Sequence, residues 1–117
     1  MAKKYILAID QSTSGTKAIL FTKDCTLHHR VTILHAQLNP RPDWVEHDPE
    51  EIFENIKKAI SKVMIEGNAS WDEIASIAVT NQRETGMVWD SETGKPIYNA
   101  IVWQCPRAKE QCDQLAK

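Results

Sequence analysis

Asp10 closes an apolar run, Tyr5 to Ile9, and stands directly before a stretch of small residues, Ser12, Thr13, Ser14, Gly15 and Thr16. The backbone N–H groups and hydroxyls of such a loop converge on an anion such as a phosphate. Lys17, just beyond, adds a positive charge. A carboxylate facing a phosphate loop repels the ligand unless a divalent cation lies between them, and Mg²⁺ takes both carboxylate and phosphate oxygens. Asp10 is therefore the candidate Mg²⁺ ligand, directly or through water, and Thr13, Ser14, Gly15 and Lys17 are the candidate phosphate binders. The same stretch also reads as an ordinary hairpin turn. It is not a Walker loop, because no G-x-x-x-x-G-K-[ST] is present.

A second polar cluster follows another apolar run. After Ala78-Val79-Thr80 the chain releases Asn81, Gln82, Arg83 and Glu84 together. Arg83 donates hydrogen bonds and Glu84 accepts them, which meets both needs of an alcohol hydroxyl. A surface loop with a local ion pair gives the same pattern. Trp103, after Asn99-Ala100-Ile101-Val102, offers a flat apolar face to an aliphatic chain, and equally suits a core or an interface. Other candidates carry less. His28 and His29 are neighbours on a strand and should point to opposite faces, so no shared metal is expected. Cys105 and Cys112 have no identifiable base beside them, which argues against a nucleophile. Glu46 and Asp48 in "WVEHDP" read as the end of a loop and the cap of a helix.

The elements that hold these residues follow from periodicity and capping. Tyr5–Ile9 reads as a central strand apolar on both faces. Lys17–Thr22 reads as its hairpin partner, and residues 28–36 as a third strand. Asp48, Pro49 and Glu51 begin a helix. Ile52, Phe53, Ile56, Ala59, Ile60, Val63 and Met64 give that helix one apolar stripe, and Gly67-Asn68 ends it. Ser70 and Glu73 start a short helical turn, and residues 74–80 form another buried strand. Residues 86–89 and 96–102 flank the turn-rich "DSETGK" as a β-hairpin. From Pro106, Ala108, Cys112 and Leu115 recur at helical spacing. The pattern is α/β with an antiparallel beginning, and it breaks off in mid-element.

Bulk properties narrow the function classes. The 117 residues suit one ordinary domain, and a net charge of −2 with 42% hydrophobic and 26% charged residues gives no reason to expect nucleic acid or a membrane as partner. The apolar run before Asp10 is too short for a signal peptide or a membrane span. Three cysteines without a C-x-x-C fit reduced thiols in a cytoplasm.

Four segments in order, "DQSTSGTKAILF", "PRPDWVEHDPEEIFE", "TNQRET" and "GKPIYNAIVWQ", resemble the N-terminal part of the FGGY carbohydrate kinases. The likeness is nearest to the members that act on glycerol, and it spans essentially the whole chain. It implies two actin-like (ribonuclease H-like) domains with a mixed sheet. Residues 1–117 would then be the N-terminal part of the first domain, truncated, with the second domain absent. It also implies ATP-dependent phosphorylation of glycerol, or of another polyol or sugar such as erythritol, xylulose or gluconate. By the resemblance, Asp10 lies at the metal and the transferring phosphoryl, and Thr13, Ser14, Gly15 and Lys17 at the nucleotide phosphates. Arg83 and Glu84 hold the acceptor hydroxyls, and Trp103 packs on the acceptor's carbons. The members that act on glycerol commonly read Asp-Gln-Gly-Thr-Thr-Ser-Ser-Arg where this chain has Asp10 to Lys17, departing at Ser12, Ser14, Gly15, Thr16 and Lys17, and lysine offers a point charge in place of a bidentate fork. The family's general base, an aspartate, lies further along, so the isolated residues are expected to be inactive. A full-length form is expected to be a homo-oligomer. A non-catalytic actin-like binding module and an assembly domain that has kept only the fold are the competing readings.

Overall fold

The computed structural model describes residues 2–117. In chain order the elements are β1 (Tyr5–Gln11), β2 (Gly15–Thr22), β3 (Leu27–Leu34), β4 (Glu46–His47), α1 (Pro49–Glu66), a 3-10 turn (Trp71–Glu73), β5 (Ile74–Asn81), β6 (Ala100–Ile101) and α2 (Lys109–Leu115). The chain divides into two compact units. One runs to His35 and includes Glu51–Gln82; the other is Ala36–Glu50 with Arg83–Lys117.

The first unit is a mixed sheet of order β3-β2-β1-β5, with β1 antiparallel to β2 and parallel to β5. β1 is central, as its apolar run predicts, but only one face is covered. Leu7 and Ile9 are buried, whereas Ile6 on the alternate face remains 39% exposed. Leu7, Ala18, Leu20 and Val31 of the sheet form one core with Ala59, Val63 and Met64 of α1 and with Ile74. The stripe on α1 is narrower than the sequence suggests, since Phe53 is exposed. Buried Asn55 sits on that face instead, donating to the Leu34 carbonyl at 3.3 Å.

Both ends of α1 form as the capping residues dictate. Asp48 Oδ1 accepts the Glu50 N–H at 2.9 Å, and Pro49 is the first helical residue. At the other end the Ala69 N–H reaches the Met64 carbonyl and the Asn68 N–H the Ile65 carbonyl, a Schellman pair. Asn68, at φ 49°, takes the left-handed place there. Gly67 serves space: a Cβ on it would lie 2.7 Å from Leu20 Cδ1.

Two expectations are corrected. β5 is not a buried strand: from Ala75 on it is exposed, with Ile77 at 55% and Val79 at 70%. Among the described residues it pairs only with β1, so neither its second edge nor its side chains are covered. His28 and His29 do not point apart. The β2–β3 register slips between Leu20 and Phe21, leaving His28 as the extra residue of a bulge. His28 Nε2 then reaches the Gly67 carbonyl at 2.8 Å and His29 Nε2 reaches Glu66 Oε2 at 2.9 Å, so both hold the end of α1.

In the second unit, β4 pairs antiparallel with β6, Glu46 facing Ile101. Leu38 bridges to Glu46 on one side and Gly86 to Ile101 on the other, so four short segments lie side by side. The hairpin around "DSETGK" forms, with Trp89 facing Pro96 and Asp90 Oδ1 accepting the Glu92 and Thr93 N–H groups at 2.8 Å each. Gly94, at φ 73°, completes its turn. The final helix begins at Lys109, and none of its residues is buried.

Gly15 is fixed by its neighbour. A Cβ there would lie 2.6 Å from the Ile33 carbonyl oxygen and 3.2 Å from Leu34 Cα, both backbone atoms of β3. Gly15→Ala should therefore lower stability by about 1–3 kcal/mol, the usual cost of overpacking. A shift in the chemical-denaturation midpoint checks this, and an unshifted midpoint would mean that β3 yields.

Candidate functional site

The β1–β2 hairpin carries the candidate phosphate site. Asp10 and Lys17 are register partners, with Asp10 Oδ2 and Lys17 Nζ 3.9 Å apart and both side chains partly exposed. On its other side Asp10 faces Thr80 of β5. Asp10 alternates with buried Ile9 and Gln11, so it projects from the face opposite the core. Ser12 closes the turn, its N–H and Oγ each donating to the Gly15 carbonyl at 2.9 Å. Thr13 and Ser14 form the tip.

That tip is held from β3's end. His35 Nε2 lies 2.8 Å from the Thr13 carbonyl, and the His35 N–H donates to the Ser14 carbonyl at 3.4 Å. A carbonyl only accepts, so Nε2 carries the proton. Beneath the turn, buried Gln11 donates to the Ser12 carbonyl at 2.9 Å and accepts from Gln82 at 3.4 Å, joining the ends of β1 and β5. Thr16 belongs to the core: it is fully buried and its hydroxyl has no hydrogen-bond partner. The structure thus brings Asp10, Thr13, Ser14 and Lys17 to one hairpin end, with Gly15 serving the packing of β3.

The candidate hydroxyl site lies in the second unit. The Gly86–Ile101 bridge is antiparallel, with the Gly86 N–H donating at 3.0 Å and the Ile101 N–H at 2.9 Å. Beyond that bridge both segments leave the ladder, Glu84 into a left-handed turn and Trp103 into the turn that the Cys105 N–H closes on the Val102 carbonyl at 2.8 Å. The Trp103 N–H donates to Thr85 Oγ1 at 3.3 Å, which ties the two turns together. Glu84 and Trp103 both line an open recess of about 690 Å³, together with Met87, Ile97, Tyr98 and Cys105. Glu84 has φ 65°, a left-handed conformation that a glutamate adopts at a cost. Such strain persists where the surroundings impose it, which is common at ligand sites. Arg83 is exposed beside it.

Sequence reasoning missed Glu46. It does more than end a loop: it is fully buried. Its carboxylate accepts from Tyr98 Oη at 2.8 Å, Asn99 Nδ2 at 3.0 Å and Arg107 Nη2 at 2.6 Å. Burial pushes its carboxyl up, but the hydrogen bonds from Asn99, Arg107 and Tyr98 and the guanidinium charge outweigh it and hold the group below the usual carboxylate range. The one signal available was a lone charge in a segment flanked by Trp44, Val45 and His47. Nothing in sequence names its partners, 52 to 61 residues away.

The FGGY family of carbohydrate kinases, N-terminal domain, matches residues 5–117. The chain is 54% identical over 113 residues to Glycerol kinase 1 of Thermotoga maritima, covering 97% of this chain and 23% of that protein. It is 50% identical over 115 residues to the glycerol kinase of Carboxydothermus hydrogenoformans, covering 98% and 23%. Among solved structures, Plasmodium falciparum glycerol kinase with ADP matches at TM-score 0.84 and 35% identity, over 99% of this chain and 24% of that one. Gluconate kinase from Lactobacillus acidophilus matches at TM-score 0.86 over 97% of this chain and 22% of that one, but at 22% identity, a likeness of fold alone. The chain belongs to the FGGY family of carbohydrate kinases, and its mixed sheet is the opening part of that family's actin-like fold. It spans 23% of the length of the curated relatives named here.

The strain at Glu84 separates its backbone role from its carboxylate. Glu84→Gly relieves the left-handed φ and should leave stability unchanged or raise it by up to about 1 kcal/mol, whereas Glu84→Ala should not. Thermal unfolding of the two variants makes the comparison. A less stable glycine variant would mean that the glutamate side chain itself supports the fold.

Proposed function

We propose that this chain is the N-terminal segment of an ATP-dependent kinase that phosphorylates glycerol, giving glycerol 3-phosphate and ADP. The observation that carries the reading is the open recess that Glu84 and Trp103 line together, with Arg83 adjacent in sequence. A donor, an acceptor and an apolar face are what a short polyol requires. The names of the relatives support glycerol as the acceptor, and the ADP in the Plasmodium crystal supports a nucleotide partner.

In this reading Arg83 and Glu84 orient the acceptor hydroxyls while Trp103 covers the carbons and keeps water from them. Thr13, Ser14, Gly15 and Lys17 bind the nucleotide's phosphates. The residues at the hairpin end also fit Mg²⁺: Asp10 is a partly exposed carboxylate, and the neighbouring side chains offer oxygen donors, with no soft ligand. Asp10 would hold the ion, directly or through water, and the ion would neutralise charge on the transferring phosphoryl. Lys17 would turn from Asp10 toward phosphate when nucleotide binds. Free Cys25, Cys105 and Cys112 suit a reducing cytoplasm, and a homo-oligomer of the full-length enzyme completes the proposal. Among the described residues no helix is long and apolar enough to cross a membrane.

Two measurements on the full-length enzyme test it. Asp10→Asn should lower kcat far more than it changes KM for glycerol, because its charge matters most in the transition state. An unchanged kcat with lowered stability would reduce Asp10 to a strand-end residue. Arg83→Ala should weaken glycerol binding by about 1.5–3 kcal/mol, the range for hydrogen bonds to a charged group, and leave ATP nearly untouched. Equal losses for both substrates would signal a fold defect. A wild-type preference for erythritol, xylulose or gluconate would keep the kinase and remove glycerol.

A further inference from the structure

The turn that carries Trp103 is tied at both ends to β4. Ahead of it, Ile101 pairs with Glu46 and the Val102 N–H donates to the Val45 carbonyl at 3.1 Å. Behind it, Arg107 Nη2 donates to Glu46 Oε2 at 2.6 Å while Arg107 Nε donates to Cys105 Sγ at 3.0 Å. The Cys105 N–H closes on the Val102 carbonyl at 2.8 Å, leaving Trp103 as the second residue of a four-residue turn. The guanidinium is itself fixed by lying 3.8 Å over the Trp44 ring. Trp103 is 53% exposed, so packing in the core does not orient its indole. The backbone of the turn fixes where its Cα and Cβ stand.

We propose that the buried Glu46–Arg107 pair is a positioning device for the hydroxyl-binding wall: it holds the turn that carries Trp103 in place at the recess Glu84 also lines. Attraction within a buried ion pair is largely offset by the loss of water around both charges, so such a pair is a weak stabiliser. Fixing one geometry is a use it suits better. Here the carboxylate also takes Tyr98 and Asn99, so its position is determined from three directions, and Arg107 passes that position on to Cys105 and the turn. The consequence for the acceptor rests on reading Glu84 and Trp103 as the polyol wall; the tie itself does not.

Fluorine NMR of the full-length protein carrying 5-fluorotryptophan reads the tie directly, with the Trp103 signal assigned by Trp103→Phe. In Arg107→Met the Trp103 signal should shift or broaden along with that of Trp44. Glycerol KM should rise about tenfold, with kcat and the KM for ATP within about twofold, the pattern of a displaced binding group. Arg107→Lys, which restores the charge, should recover part of the loss. An unmoved Trp103 signal overturns the proposal. So does a parallel loss of kcat, both KM values and stability. A moved signal with unchanged glycerol KM upholds the tie and overturns the polyol reading. If Arg107→Met does not fold, Glu46→Gln keeps the shape of the acceptor and removes the charge that holds Arg107; an unmoved Trp103 signal there also overturns the proposal.

Discussion

A carboxylate without exposed surface must find a donor for every lone pair it turns inward, or the segment that carries it cannot stay buried. Glu46 meets that demand with Tyr98, Asn99 and Arg107, which come from two different stretches of the chain. The second unit is organised around this requirement. Its ladders are very short, two residues in β4 and two in β6, and backbone pairing of that length is weak by itself. Side-chain donors converging on one buried acceptor supply the directionality that the strands lack. The pairing they preserve holds the turn of Trp103 beside the recess that Glu84 lines.

The first unit solves a different problem by ordinary means. One helix covers one face of a four-stranded sheet, and the β1–β2 loop is pinned at its margins. Its tip is short and polar, and small residues alone do not make it rigid. His35 holds the Thr13 carbonyl, Ser12 closes the turn, and Gln11 with Gln82 joins the strand ends below. Gly15 lets β3 come close enough for His35 to reach. The glycine in this loop is thus a spacing residue first. Its lack of a side chain matters to the neighbouring strand rather than to backbone freedom.

The exposed faces of the chain carry apolar residues that isolated surfaces seldom show together. Ile6 on β1 and Ile77 and Val79 on β5 lie open. Their exposure accords with a segment that covers 23% of its relatives' length. A sequence reading assigns such residues to a core because alternation and composition record what a strand is suited to pack against. They do not record whether the covering segment is among the residues at hand.

Much of this protein was legible in its sequence because the forces involved are local. Asp48 and Pro49 start α1 and Gly67-Asn68 end it, since caps act within one turn. The polar stretch after Asp10 forms a hairpin end, since short loops between apolar runs have few alternatives. The resemblance carried by "DQSTSGTKAILF" and "TNQRET" already pointed to the family. What sequence could not decide depends on pairing across long separations. The bulge that turns His28 to the same helix end as His29 arises from a slip against β2. The left-handed Glu84 is imposed by its surroundings, because a glutamate has no preference for that conformation. The burial of Glu46 depends on Arg107, 61 residues away, and a lone glutamate reads as surface until its partners are placed around it. Capping and periodicity are written in neighbouring residues, whereas register and charge burial exist only after distant segments have met.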